Sequence, residues 1–200
     1  MPSMTSVIVV WGLMVLGYAR GAVYENTATY DDLTSVPAVG NPVGTYKGLT
    51  YEAFVVGGPP LGVSLPSVGG VAAQSGHNYA VSEIVRNVLN GTTSVVVASP
   101  YKSVSLLDFY FGCSTATANG VVKEAIECTI TVAGFQKSKN QEIALASYTF
   151  TPPVSPVKPV PMIHAVLPST FHQALYNITF ANSNPLASTE IDNFHYDLVR

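Results

Sequence analysis

The chain has 200 residues, 48% of them hydrophobic and only 10% charged, with 16 glycines, 14 prolines and a net charge of −3. This length supports one sizeable domain with a continuous core, and so few charges, against roughly 25% in an average globular protein, match an all-β extracellular protein. The negative balance and the scatter of its nine lysines and arginines argue against nucleic acid as a partner, because phosphate binding needs a clustered basic surface.

Residues 1–21 read as a signal peptide. Met1 to Ser6 carries no charged side chain, Val7 to Leu16 is apolar, and Ala19-Arg20-Gly21 places small residues at the two positions that a signal peptidase reads, so cleavage is expected after Gly21 or Ala22. The apolar run is too short to span a bilayer and no later stretch is longer. The expected product is a secreted domain over residues 22–200, with no membrane segment after cleavage. Ala28 to Leu33 reads as a first strand ending in acids, and Tyr46 to Val56 as one strong strand of aromatic and β-branched residues. Gly57 to Gly70 carries the glycines and prolines of a long loop. His77 to Ser82 and Thr92 to Ala98 are the next strands, with irregular structure expected between them.

Val104 to Phe111 and Ile126 to Val132 form two further strands around a small polar excursion. In the first, Leu107, Phe109 and Phe111 share one face and Leu106 and Tyr110 the other, which suits a central strand. Cys113 and Cys128, the only cysteines, bound the excursion. In an oxidising compartment such a pair is expected to form a disulfide, worth about 3 kcal/mol in the chain-entropy model. Neither a CxxC spacing nor a nearby histidine supports a metal pair. Glu142 to Phe150 follows. The proline-rich run Pro152 to Pro161 reads as a crossover between two sheets, since the strands after it, Met162 to Val166, Leu175 to Ala181 and Glu190 to Leu198, cannot bury a face alone. A jelly-roll β-sandwich of about nine or ten antiparallel strands is the predicted fold.

Two sequons, Asn90-Gly91-Thr92 and Asn177-Ile178-Thr179, offer N-glycosylation sites, and the alternation around Asn177 directs it to solvent. The strand carrying Asp192 also carries Phe194 and Tyr196 at the same parity, so its carboxylate points toward the core rim and needs a partner. If the terminal strands are neighbours, Asp31, Asp32 and Asp192 supply the oxygens that calcium prefers; the bland alternative is that they cap turns.

Several short motifs also carry a family resemblance: Tyr30-Asp31-Asp32-Leu33, Tyr46-Lys47-Gly48-Leu49-Thr50-Tyr51 with Phe54, Ser75-Gly76-His77-Asn78, Asp108-Phe109-Tyr110-Phe111 with Cys113, and Ile191-Asp192-Asn193-Phe194. As a set they resemble a family of secreted fungal proteins and are similar to exported bacterial proteins of the PEP-CTERM type, with Tyr51 where tryptophan is common. The resemblance implies a jelly roll like that of galactose-binding and carbohydrate-binding modules, some of which hold a structural calcium near the paired termini.

No catalytic set emerges. A G-x-S-x-G elbow is absent, and His77, His164, His172 and His195 lack the spacing of a metal pair. The expected protein is therefore not an enzyme. Sugar binding would use tyrosine rings, of which Tyr79 and Tyr101 lie nearest to loops, although tyrosines are also simply good strand residues. The sequence thus leads to a secreted, non-catalytic, carbohydrate-binding-like sandwich that binds extracellular or cell-wall polysaccharide, with a host-directed effector or structural protein that binds a protein partner as the alternative.

Overall fold

A computed structural model describes residues 21–34, 41–58, 70–82, 92–115, 124–137, 141–154 and 159–200. The signal segment up to residue 20, the piece 83–91 with Asn90, and most of the loops after residues 58 and 115 lie outside the described residues. Within them the chain forms β1 (Val23–Ala28), β2 (Asn41–Tyr46), β3 (Leu49–Gly57), β4 (Val71–Ala72), β5 (Tyr79–Ser82), β6 (Thr93–Val97), β7 (Ser103–Thr115), β8 (Glu124–Ala125), β9 (Cys128–Gln136), β10 (Gln141–Phe150), β11 (Val160–Pro161), β12 (Ile163–Val166), β13 (Asn177–Asn182) and β14 (Ala187–Val199). A short 3-10 helix covers Ser169–His172.

Twelve of these strands join in one sheet ordered β10-β9-β13-β6-β3-β5-β14-β7-β12, with β1 on β14, β2 on β3 and β8 on β7. Strands far apart in that order nevertheless touch. Phe109 of β7 meets Phe180 of β13 with ring centroids 5.8 Å apart and Tyr148 of β10 at 6.2 Å, and a disulfide joins Cys113 of β7 to Cys128 of β9. The sheet is therefore curled so that its β9 half faces its β7 half, which makes an all-β sandwich. β3 serves both halves. Leu49 to Glu52 pairs with β6 and Phe54 to Gly57 with β5, and Ala53, at φ 60°, sits where the partner changes. The pairings of the large sheet are antiparallel, but β4 and β11 form a separate parallel pair.

Three sequence expectations are corrected. The first strand is Val23–Ala28, and Ala28 to Leu33 instead leaves the sheet in a turn, with Tyr30 at φ 61° and the Leu33 amide on the Tyr30 carbonyl. Tyr46 to Val56 is not continuous. Lys47 and Gly48, at φ 46° and 82°, close a β2–β3 hairpin, because positive φ at both central residues gives the twist that a two-residue connection needs. In β7, Val104, Leu106, Phe109 and Phe111 are all fully buried and Leu107 and Tyr110 are not, so Leu106 rather than Leu107 joins Phe109 and Phe111 in the core. A bulge accounts for this: the β7–β14 register shifts around His195, next to Asn193 at φ 45°, and resets the parity of both strands.

The core runs through both halves. Phe54, Phe109, Phe180 and Phe194 interlock with centroids 5.8–6.2 Å apart, and Tyr51 and Tyr196 extend the stack toward β1 and β2. Each such side chain contributes roughly 1.5–3 kcal/mol on burial. The proline-rich connection carries the chain from β10, at one end of the strand order, to β12 at the other, as a crossover between the halves.

Candidate functional site

Two polar regions stand out, and they are built differently. The first is a knot around Asp192, which lies just before the β14 bulge and is 0% exposed. Its Oδ2 accepts the backbone amides of Gln74 and Ser75 at 2.8 and 2.9 Å, and its Oδ1 that of Asn193 at 2.7 Å. Asp31, in the turn after β1, accepts the amides of His77 and Asn78 on Oδ1 at 2.9 and 3.2 Å. The Ser75 hydroxyl lies between the two acids, 3.2 Å from Asp31 Oδ2 and 3.5 Å from Asp192 Oδ1. Asn78, itself buried, returns its amide hydrogens to the carbonyls of Tyr30 and Leu33.

Burial pushes the Asp192 carboxyl up to about 6 against the opposing pull of its three amide donors, and the nearby Asp31 adds to the rise. Asp31 is more open. Its slight burial is outweighed by the amides of His77 and Asn78 and the Ser75 hydroxyl, and its pKa is lowered. Asp32 does not join them. It accepts the Tyr46 hydroxyl instead, and among the described residues no group of three or more His, Cys, Asp or Glu is placed to hold a metal ion.

The second region lies at one end of the sandwich, where a shallow bowl of about 330 Å³ is lined by Lys102, Ser103, Gln136, Lys137, Ala174 and Tyr176. Backbone bonds fix its walls. Tyr176 accepts the Val97 amide on its carbonyl and donates its own amide to Phe135, while the Lys102 amide is held by Val199. The Lys137 ammonium stands 4.7 Å from the centre of the Tyr176 ring. The side chains of Lys102, Ser103 and Gln136 have no hydrogen bond or ion pair among the described residues.

A third cluster crosses the outer face of four strands. Asp108 of β7 holds His164 of β12 with one oxygen and His195 of β14 with the other, both at 3.0 Å, and Glu25 of β1 reaches His195 at 3.2 Å. Tyr110 stacks on His164 at 4.5 Å. Partial burial disfavours charge on His195, but Asp108 and Glu25 outweigh it and raise its pKa. Such solvent-facing pairs contribute little individually, and this row reads as a rivet across the strands.

The structure places the remaining predicted residues as follows. Cys113 and Cys128 are bonded, and their strands face one another without pairing. Tyr79 is corrected from a loop-side ring to a buried one, 7% exposed, because β5 is covered on both faces. Tyr101 is half-exposed and meets Tyr24 edge-on at 5.9 Å. Asn177 is half-buried with its Oδ1 enclosed, since β13 sits between β9 and β6, so it is less open to solvent than its alternation suggested.

No protein-family model and no curated protein matches the chain. Among solved structures it is similar to a DUF4465 family protein from Bacteroides caccae, at 12% identity and a TM-score of 0.54 over 86% of this chain and 98% of that one. It is also similar, more distantly, to an apo-form cyclase from Fischerella sp. (7% identity, TM-score 0.45, 87% and 96% covered) and to the K2 cleaved adhesin domain of Lys-gingipain (10%, 0.42, 86% and 97%). At these identities the likeness is one of fold.

Sequence reasoning found the knot through Asp31 and Asp192 and missed the bowl. Lys102, Gln136 and Tyr176 are far apart in the chain and belong to no motif. The one usable signal was the scarcity of lysine, which makes any two that meet unusual.

Proposed function

We propose that this is a secreted, non-catalytic β-sandwich that binds glycans outside the cell. The observation that carries the reading is the bowl at the end of the sandwich. It sets one tyrosine ring, approached by the Lys137 ammonium, beside the amine of Lys102, the hydroxyl of Ser103 and the amide of Gln136, which have no hydrogen bond or ion pair among the described residues, and sugar sites combine an aromatic ring with a few convergent polar groups in this way. Tyr101, next to Lys102 in the chain, and Tyr24, which meets it edge-on, are further partly exposed rings that a chain of sugars could use. A panel of plant, fungal and chitinous glycans tests the reading. Binding to at least one class is expected, and silence across all of them would discard it in favour of a protein partner.

A structural calcium is a second reading, favoured by the convergence of Asp31 and Asp192 on the Ser75 hydroxyl. Asp31 and Asp192 would be its carboxylate ligands and Asp32 would not. The donor set fits only in part, because five backbone amides already satisfy the two acids. Thermal melts with calcium and with chelator decide it: a higher midpoint with calcium supports the ion, and an unchanged midpoint removes it.

A further inference from the structure

The charge of the bowl runs against that of the protein. The chain carries a net charge of −3, yet two of its nine cationic side chains meet here and no acid is among the lining residues. Several acids elsewhere are engaged: Asp31 and Asp192 by amides, Asp32 by Tyr46, Asp108 and Glu25 by histidines, and Glu52 by Ser94. Lys47 offers a contrast within the same chain, since its ammonium rests on the Thr27 carbonyl at 2.9 Å. Lys102 and Lys137 have no such oxygen among the described residues.

A neutral ligand settling into the bowl would take water from two ammonium groups and return no counter-charge, an unfavourable exchange. An anionic group would instead complete charge-assisted hydrogen bonds to both. The bowl's volume of about 330 Å³ falls at the small end of ligand sites, the scale of one sugar unit rather than a long segment. We propose that it takes an anionic pyranose, a hexuronate or a sulfated hexose. Lys102 and Lys137 receive the acidic group, Ser103 and Gln136 contact ring hydroxyls, and Tyr176 lies along the sugar face. This inference rests on the glycan reading above and adds the chemical class that the site selects.

Calorimetric titration of the purified protein at low salt, with trigalacturonate, a sulfated galactose trisaccharide and neutral galactotriose, tests it. At least one acidic trisaccharide should bind roughly tenfold more tightly than the neutral one, and the advantage should shrink as salt screens the charges. Preference for galacturonate assigns a carboxylate and preference for the sulfated sugar a sulfate ester; either supports the shared chemistry. Lys102→Gln and Lys137→Gln should each remove most of the acidic preference, and Lys47→Gln should leave it intact. Equal binding of acidic and neutral sugars would overturn the inference while leaving the glycan reading standing. Full retention of the preference in both lysine variants would place the anion elsewhere and also overturn it. A protein that binds none of these sugars or those of the wider panel would lose both readings.

Discussion

The knot and the bowl hold polar groups in opposite states. Around Asp192, each carboxylate oxygen of the two acids meets a donor, and the donors are mostly backbone amides of one short loop, 74–78. Around Tyr176, the Lys102 amine, the Ser103 hydroxyl and the Gln136 amide have no hydrogen bond or ion pair among the described residues, and the Lys137 amine meets only the ring. Buried polar groups must be satisfied at folding, whereas a site must keep some unsatisfied until it binds. The knot therefore belongs to stability and, on the proposed reading, the bowl to recognition, although the knot contains the more conspicuous residues.

The largest expected separation between them is in stability. Asp192→Asn replaces one acceptor oxygen with a donor that faces backbone amides, and it should lose on the order of 3 kcal/mol in urea denaturation. A loss within error would mean that the amides do not organise the loop. Gly76 comes next. It holds φ 43°, and a Cβ there would run into the Asp31 carboxylate, so Gly76→Ala should destabilise by about 1–2 kcal/mol. At the other pole, Lys102→Gln and Lys137→Gln should change stability by no more than about 0.5 kcal/mol, as exposed positions do.

Protonation separates the regions more finely. The folded pKa of Asp192 is raised from 3.8 to about 6, so the native state holds that proton more tightly than the unfolded chain does, and stability falls as pH rises through this window. His195 acts in the same direction at higher pH: its pKa is raised from 6.5, so its contribution is complete below that value and is lost as pH climbs through the folded pKa. Asp31 is lowered and acts oppositely, its contribution being lost only in more acidic solution. Melting temperature should therefore decline as pH rises from 3.8 to about 6 through Asp192, and decline further above 6.5 through His195. His195→Gln should flatten the upper part of that decline, and a curve that still falls there would show that the histidine row does not couple to folding.

Much of the sandwich was legible. β6, β10 and β14 match their predicted runs within a few residues, because their apolar residues recur at the periods a sheet imposes, and the lone cysteine pair was readable once secretion was inferred. What escaped depended on tertiary contacts. β1 has little apolar alternation because five of its six residues are at least partly exposed. Tyr30 and its neighbours look like a strand, but the contacts of Asp31 with the 74–78 loop, some 45 positions away, hold them in a turn. The Lys47-Gly48 turn lacks the Asn-Gly pair that usually announces such hairpins. Asp31 and Asp192 could be paired from the neighbouring termini, but that backbone amides are their main partners could not be read from side chains. Lys102 and Lys137 each look like an ordinary solvated lysine, and only the closure of β7 against β9 and residues 174–176 shows that they share a bowl.

Amide chemical shifts recorded during titration with an acidic trisaccharide test the division between the two regions most directly. The account predicts perturbations concentrated at residues 102–103, 136–137 and 174–176, with those of residues 74–78 and 192–193 unmoved. Shifts centred on the Asp192 loop, with the bowl silent, would contradict it.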